Sequence, residues 1–316
     1  MIIVTGGAGF IGSNLVRGLN RAGHEDILVV DDLTDGRKFS NLVDCNISEY
    51  WDIEQLRQFI EQNRSFKTGV TALLHQGACT VTTEWDGQYM MQNNYEYSKL
   101  LLHYCLQYGI PFIYASSGSV YGIKQKFNEA PENEAPVNVY GYSKYLFDMY
   151  VRRILKEAQS QVTGLRYFNV YGPGEQHKKS MASVVYHFNE QLLSSGCIKL
   201  FQGSGGFADG EQRRDFIHVD DVVAINLWFL EHCDKCGIYN VGTGKSRSFN
   251  DAARLVLQWH GKGHIQYIEF PADLMDSYQS FTEADITALR QAGYQQKFIT
   301  PETGINQYLG WLNEKH

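Results

Sequence analysis

The fold is decided by a short stretch near the amino terminus, Gly6-Gly7-Ala8-Gly9-Phe10-Ile11-Gly12. An apolar run over residues 2–5 precedes it and predicts a buried strand, and apolar residues at helical spacing over 10–22 predict a helix after it. Gly6, Gly9 and Gly12 permit a tight turn and a close approach of the backbone to a pyrophosphate at the helix N-terminus. Another apolar run, over 27–30, completes a predicted strand–helix–strand unit that binds a dinucleotide.

Strand and helix patterns continue to alternate beyond this unit. Further strands are predicted over 72–75, 111–115 and 162–168, and helices near 54–63, 85–108 and 142–157. Such alternation is typical of an α/β fold in which helices cover both faces of a parallel sheet. We therefore predict a doubly wound, parallel-sheet Rossmann domain.

The second half of the chain is less regular and predicts a smaller, mixed α/β substrate-binding lobe. It contains a Gly-rich loop over 203–210, a strand-like run over 215–219 and a helical pattern near 220–231. The predicted division gives residues 1–168 plus about 215–245 to the cofactor-binding domain. The substrate-binding lobe takes residues 169–214 plus about 246–316.

Composition excludes several classes of protein. The 316 residues include 28 Lys and Arg against 35 Asp and Glu, a net charge of −7 that argues against a nucleic-acid partner. No apolar run reaches the roughly 18 residues of a membrane span, and no basic segment typical of a signal peptide precedes residue 2. Six scattered cysteines suggest reduced thiols in the cytoplasm. Cys233 and Cys236 lack the further ligands of a zinc site, so no metal is expected.

The choice of nicotinamide cofactor is open on these residues. Asp31 and Asp32 end the second predicted strand, where a carboxylate binds the ribose diol of NAD. Arg37 and Lys38 follow closely and could bind the 2′-phosphate of NADP.

A candidate catalytic set lies in the middle of the chain. Tyr140 and Lys144 are four residues apart in a predicted helix, so the ammonium could lie beneath the phenol and lower its pKa. Ser117 follows the predicted strand 111–115, and an open α/β sheet places its site at the carboxyl ends of its strands.

Together these motifs resemble the extended short-chain dehydrogenase/reductase family, which acts mainly on nucleotide sugars. The resemblance covers essentially the whole chain: the Gly-rich loop, Asn93-Asn94, the segment 116–122, the Tyr-x-x-x-Lys pair and the segment 166–173. It implies that Tyr140 is the acid/base, that Ser117 orients the reacting oxygen, and that Lys144 also binds the nicotinamide ribose.

The resemblance also narrows the reaction. Sugar dehydratases of the family carry Asp-Glu after the serine, whereas this chain has Gly118-Ser119. Longer strings over 83–87, 138–144, 177–183 and 278–282 are similar to the epimerases that invert the side-chain carbon C6 of an ADP-linked heptose for lipopolysaccharide synthesis. In that branch Tyr140 would take the hydroxyl proton and Lys178 would be the second acid/base. The alternatives are a UDP-hexose 4-epimerase and, in another class, a non-catalytic dinucleotide-sensing protein.

The same likeness carries over further binding residues. Predicted cofactor contacts, beside the three glycines, are Phe10, Ile11, Asp31, Asp32, Lys38, Ile53 (through its backbone), Gln76, Gly77, Ala78, Cys79, Asn93, Lys144, Val170 and Lys178. Predicted substrate contacts are Asn169, Ser180, His187, Phe201, Gln202, Gly203, Ser204, Arg214 and Tyr278. Lys38 at its family position favours NADP over NAD. The family also implies a homo-oligomer such as a pentamer, and the loop over 205–212 is longer than its pattern.

Overall fold

A computed structural model describes residues 1–271 and 278–314. Its strands are β1 (Ile2–Thr5), β2 (Ile27–Asp31), β3 (Glu49–Asp52), β4 (Ala72–His75), β5 (Phe112–Ser117), β6 (Val162–Tyr167), β7 (Asn169–Tyr171), β8 (Cys197–Phe201), β9 (Arg213–Arg214), β10 (Phe216–His218), β11 (Gly237–Val241), β12 (Arg247–Ser248) and β13 (His264–Ile268). Its α-helices are α1 (Phe10–Arg21), α2 (Ile53–Glu61), α3 (Gly87–Met91), α4 (Tyr97–Tyr108), α5 (Val139–Ile154), α6 (Val184–Ser195), α7 (Val219–Glu231), α8 (Phe249–His260), α9 (Thr287–Ala292) and α10 (Pro301–Asn313).

The central sheet has seven parallel strands in the order β11-β6-β5-β4-β1-β2-β3. Strand β1 pairs with β2 on one side and with β4 on the other, so the chain reverses its direction of winding at β1. Every residue of β1, β2, β4, β5 and β6 is buried, as expected for strands covered on both faces. The predicted doubly wound α/β fold is confirmed.

Two hydrophobic clusters hold helices against the two faces of this sheet. On one face, Leu15 and Leu19 of α1 pack in a cluster with Val223 and Phe229 of α7. On the other face, α2, α4 and α5 supply the cluster through side chains such as Leu101. Burial of each apolar side chain contributes about 1.5–3 kcal/mol, which makes these two layers the main source of stability for the sheet.

A third cluster forms away from the sheet. Helices α6, α8 and α10 enclose it with β8, and β8 pairs in parallel with β13. Its buried members include Phe188, Val256 and Leu309. The division into a cofactor-binding domain and a substrate-binding lobe stays a prediction. Among the described helices, none has the length and apolarity to cross a bilayer.

The structure differs from the predicted pattern at three places. Strand β3 was not predicted, because Glu49–Asp52 has no apolar run and is only half-buried. Strand β11 was not predicted as a sheet strand either. The predicted helix 85–108 is interrupted by a π-type turn over Gln92–Glu96, between α3 and α4.

Candidate active site

The candidate site lies at the carboxyl ends of the central strands. The Gly-rich loop follows β1, Asp31 ends β2, residues 76–79 follow β4, and Ser117 ends β5. Because neighbouring parallel strands end at the same edge, four segments that are far apart in sequence converge there. This is the edge at which the winding reverses and where open α/β sheets bind their ligands.

The Gly-rich loop packs too closely for any side chain at two positions. Gly6 has a left-handed backbone (φ +66°), and a Cβ there would lie 2.5 Å from the Gly77 nitrogen. A Cβ on Gly12 would lie 2.0 Å from the Gly6 carbonyl oxygen. No side chain caps the N-terminus of α1, so its first amides are free to bind an anion. The loop therefore fits the pyrophosphate of a dinucleotide.

Asp31 fastens this loop to the second strand. One carboxylate oxygen accepts from the Ala8 amide at 2.7 Å, and the other accepts from Lys38 Nζ at 2.7 Å. Neighbouring Asp32 has its pKa lowered, chiefly by hydrogen bonds from Thr34. The Asp31 charge is thus already compensated by Lys38, and both lie beside the loop.

The segment after β4 is held by Asn94, a residue that the sequence analysis did not select. The Asn94 side chain accepts from the Cys79 amide at 2.8 Å and donates to the Cys79 carbonyl at 2.9 Å. It also donates to Ser143 Oγ on α5 at 3.1 Å. Predicted Asn93 instead donates to the Tyr89 carbonyl of its own helical segment. The signal for Asn94 was the Asn93-Asn94 pair, in which residue order alone does not show which side chain points inward.

His75, the last residue of β4, connects three elements near the same edge of the sheet. Its ring bonds Thr5 Oγ1 at 2.6 Å and Ser98 Oγ at 2.8 Å. Burial, reinforced by the positive charge of Lys144, lowers the pKa of His75 to about 3. A ring that stays neutral at physiological pH joins β1, β4 and α4 without adding a charge.

Ser117 and Tyr140 are hydrogen-bonded to each other, and Lys144 lies one turn after Tyr140 in α5. Asn138 caps α5 by accepting from the Gly141 amide at 2.7 Å, which places Tyr140 in the first turn. Burial raises the pKa of Tyr140, and a hydrogen bond with Ser117 opposes that rise. The sequence predicts that Lys144 lowers the pKa of Tyr140, but the groups that shift this pKa are Ser117 and Cys79, and burial has the largest effect.

Lys144 itself is almost fully buried. Its ammonium donates to the Ala115 carbonyl of β5 at 2.8 Å. Burial lowers the pKa of Lys144 to about 8, and the negative charge of Asp148 opposes that shift. Asp148 lies one helical turn further along α5 and accepts from Arg166 Nε at 2.8 Å.

Lys178 approaches the Gly-rich loop from a separate element. It lies in a 3-10 turn over Gln176–Met181, and its Nζ is 5.3 Å from the centre of the Phe10 ring at the start of α1. Burial lowers the pKa of Lys178, and Glu175 acts in the opposite direction. A partly desolvated lysine beside the dinucleotide loop has the properties of a group that exchanges protons.

Three predicted substrate residues form a chain of contacts, in which Arg214 contacts Tyr278 and Tyr278 contacts Phe201. The Arg214 guanidinium carbon lies 4.9 Å from the centre of the Tyr278 ring, and the Phe201 and Tyr278 rings are in edge contact with centres 6.4 Å apart. Arg214 is buried, burial lowers its pKa, and no carboxylate within residues 1–271 and 278–314 pairs with it. A buried guanidinium with this surrounding fits a phosphate-bearing ligand.

The remaining predicted contacts are spread around these groups. His187 Nε2 lies 3.4 Å from the Ser180 carbonyl, and Asn169 begins β7 with an exposed side chain. The Gly203 amide donates to Asp209, which ties Gln202–Ser204 to the long loop. The other cofactor candidates lie at the start of α2 (Ile53), after β4 (Gln76, Gly77, Ala78) and in β7 (Val170).

The long loop over 205–212 borders a cavity of about 400 Å³. Gly205 and Phe207 line it from one side, and Tyr278 and residues 122–125 line other parts of its wall. The long loop therefore borders the same cavity as Tyr278, a predicted substrate residue.

Comparison with known proteins identifies the family of this chain. The sequence model of the NAD dependent epimerase/dehydratase family matches residues 2–242. The ADP-L-glycero-D-manno-heptose-6-epimerase of Alkalilimnicola ehrlichii is 57% identical over 309 residues, 98% of this chain and 96% of that protein.

The solved structures that are similar to this chain include two nucleotide-sugar epimerases. The Helicobacter pylori ADP-L-glycero-D-manno-heptose-6-epimerase has a TM-score of 0.85 and 31% identity, over 99% of this chain and 96% of that one. The UDP-glucose 4-epimerase of Thermotoga maritima, solved with UDP-glucose, has a TM-score of 0.81 and 30% identity, over 99% and 98%. The predicted kinship with nucleotide-sugar epimerases is confirmed, and the chain belongs to the NAD dependent epimerase/dehydratase family.

Proposed function

We propose that this member of the family is an ADP-glyceromanno-heptose 6-epimerase. It would interconvert ADP-D-glycero-D-manno-heptose and ADP-L-glycero-D-manno-heptose without net oxidation or reduction, as a step toward the heptose of the lipopolysaccharide inner core. The observation that carries the proposal is the 57% identity to an enzyme of that name over 98% of this chain. The solved heptose 6-epimerase and the solved 4-epimerase are 31% and 30% identical to this chain, so the choice between the two reactions depends on the relative at 57%.

The residues around Asp31 support NADP as the cofactor. The Asp31 carboxylate accepts from Ala8 and from Lys38, so its oxygens are engaged and its charge is compensated. A 2′-phosphate would therefore meet a lysine and a neutralised carboxylate rather than a free negative charge. The Gly-rich loop and the N-terminus of α1 would hold the pyrophosphate, and Lys144 would hold the nicotinamide ribose.

Tyr140 and Lys178 supply the two proton-transfer groups that inversion at one carbon needs. Bound nicotinamide dinucleotide would supply the oxidising and reducing equivalents for a reversible change at C6. Ser117 would orient the reacting oxygen. Oxidation of the secondary alcohol at C6 would give a ketone. This ketone would turn about the C5–C6 bond, so each orientation of the carbonyl needs its own acid/base.

The two groups suit this exchange of roles. Burial raises the pKa of Tyr140 toward the protonated phenol, whereas burial lowers that of Lys178 toward the neutral amine. Each group would take a proton from one epimer and return a proton to the other. Arg214 would bind the diphosphate of the substrate.

A product assay tests the proposal. Purified protein with NADP should convert ADP-D-glycero-D-manno-heptose to the L-glycero epimer, followed by proton NMR. Tyr140→Phe and Lys178→Met should each lose at least about 100-fold in kcat, the usual contribution of a general acid or base. The matched controls are Tyr142→Phe, which removes an exposed hydroxyl from the same helix, and Lys179→Met, which removes the exposed neighbouring ammonium.

Other outcomes identify the alternatives. Turnover of UDP-hexoses with no turnover of the heptose would indicate a 4-epimerase. Binding of NADP without turnover of any nucleotide sugar would indicate a dinucleotide-sensing protein. A fully active Lys178→Met protein would contradict the two-base account while leaving the substrate assignment intact.

The proposal also covers the oligomeric state and the compartment of the cell. The family likeness supports a homo-oligomer, and all six cysteines are free thiols, which suits the cytoplasm. Sedimentation velocity of the purified protein would give the oligomeric state.

A further inference from the structure

The turn that carries Lys178 has an unusual backbone. Lys179 has φ +52° and ψ −124°, a region that residues with a side chain rarely adopt. The turn is closed on both sides of this residue, since the Lys178 amide donates to the Glu175 carbonyl at 2.9 Å and the Ala182 amide donates to the Lys179 carbonyl at 3.1 Å. A strained conformation of this kind persists only where its surroundings fix it.

Glu175 provides that fixation from a buried position. Its side chain is fully buried and accepts from both the backbone amide (2.5 Å) and the hydroxyl (2.6 Å) of Ser183. Ser183 is in turn the N-cap of α6, where its hydroxyl accepts from the Tyr186 amide. The carboxylate therefore ties the turn of Lys178 to the start of a long helix.

The charge of Glu175 has no directly paired cation. Within the described parts of the chain, no lysine, arginine or histidine nitrogen lies within 4.0 Å of its oxygens, and Lys178 is the cation that influences it. Among residues 1–271 and 278–314, the contacts of the Lys178 ammonium are with the Phe10 ring, and the charge that acts on it is that of Glu175. Glu175 and Lys178 are three residues apart and joined by a backbone hydrogen bond, and each favours the charged form of the other.

The other titratable groups near Lys178 and Glu175 are His177, Tyr186 and Tyr308. His177 is partly buried, and burial together with Lys38 and Lys178 lowers its pKa, so it stays neutral near pH 7. Tyr308 on α10 and Tyr186 on α6 have raised pKa values through burial and through nearby carboxylates. Burial raises the pKa of Glu175, and hydrogen bonds from Ser183 together with the charge of Lys178 oppose that rise. Among the described residues, Glu175 is the carboxyl group whose charge raises the pKa of Lys178.

We propose that Glu175 is a positioning residue, which holds the strained turn of Lys178 and sets the proton affinity of Lys178 through its buried negative charge. The functional part of this proposal rests on the acid/base role proposed for Lys178, whereas the electrostatic part does not. Without the carboxylate, Lys178 would lose its proton more readily and would serve less well as a proton donor at alkaline pH.

The test measures the proton affinity of Lys178 without using activity. Trace acetylation of the full chain with acetic anhydride between pH 6 and 11, with and without NADP, gives the apparent pKa of Lys178 after peptide mass spectrometry. In Glu175→Gln the pKa of Lys178 should fall by about one pH unit. The alkaline limb of the pH profile of kcat should move to lower pH with it, while KM changes less.

Ser183→Ala is the matched control, because it removes a hydrogen bond of Glu175 and a helix cap but keeps the charge. Its Tm should fall and its Lys178 pKa should stay.

A reciprocal measurement covers the case in which Glu175→Gln does not fold. In protein labelled with ¹³C-glutamate, the Glu175 carboxyl resonance is assigned from its loss in Glu175→Asp. Its pKa should rise in Lys178→Met by about the amount that Lys178 gains from Glu175, since the coupling is mutual. An unchanged Lys178 pKa in folded Glu175→Gln, or an unchanged Glu175 pKa in Lys178→Met, would overturn the proposal. A shifted Lys178 pKa in an enzyme that tolerates Lys178→Met would instead refute only the catalytic role of Lys178.

Discussion

Buried Lys144 should make the stability of the apoenzyme depend on pH in a direction that is unusual for a lysine. The residue is 4% exposed, and its folded-state pKa of about 8 lies below the ordinary value of 10.5. The folded protein therefore releases this proton before the unfolded chain does. Between these two values the unfolded state holds more protons, so stability rises with pH. The contribution is absent below pH 8 and complete above pH 10.5.

The magnitude follows from the two pKa values. The full gain is about 3 kcal/mol, and the part that falls between pH 7 and 9 is about 1.4 kcal/mol. Urea unfolding of the wild-type apoenzyme and of Lys144→Met at both pH values measures it. Other groups that titrate in this range are common to both proteins and cancel in the difference. The wild type should gain about 1.4 kcal/mol relative to Lys144→Met on going from pH 7 to 9.

A constant difference between the two proteins across that range would refute this reasoning. It would mean that the hydrogen bond to the Ala115 carbonyl and the charge of Asp148 fully offset the desolvation of Lys144. A difference that shrinks as the pH rises would mean that the pKa of Lys144 is raised in the folded state.

Three further results are expected. Lys38→Ala should weaken NADP binding by about 10- to 100-fold and NAD binding by less than about threefold in calorimetric titrations, because one charge-assisted contact is lost and Asp31 is left uncompensated. Gly12→Ala should lower the free energy of unfolding in urea by at least about 2 kcal/mol and abolish cofactor binding, because its Cβ would lie 2.0 Å from the Gly6 oxygen. The control is Gly310→Ala, where a Cβ would lie in open space and the change should be neutral or stabilising. Asn94→Ala should lower the free energy of unfolding by about 2 kcal/mol in the same assay and should lower kcat, because the Cys79 segment and Ser143 lose their shared hydrogen-bond partner. An unchanged kcat would contradict a role of Asn94 in holding the site.

The sequence predicted the central fold well because its strands are buried on both faces. Ile2–Thr5 and Ala72–His75 are short apolar runs with no competing interpretation once the helices between them are periodic. Glu49–Asp52 lies at the sheet edge and half faces solvent, so its polarity hides the strand. The contribution of β11 depends on pairing with β6, a contact between residues far apart that periodicity does not report.

In the candidate site, sequence analysis selected some side chains and missed others. Sequence motifs identified Ser117, Tyr140 and Lys144, because their spacing is fixed by one strand end and one helix. They did not identify Asn94, since the π-type turn over Gln92–Glu96 adds a residue to the helical repeat and rotates this side chain inward. Nor did they identify Glu175, whose influence on Lys178 depends on burial.

Arg214, which has no carboxylate partner among residues 1–271 and 278–314, has a consequence for the lifetime of the protein. Burial lowers the pKa of its guanidinium despite the contact with Tyr278, so its charge reduces the stability of the folded chain. An anionic ligand bound there would offset this cost and would shift the folding equilibrium by mass action. Scarcity of the ligand would then leave more of the protein in states that proteases attack, so that its abundance follows the supply of the molecule it acts on.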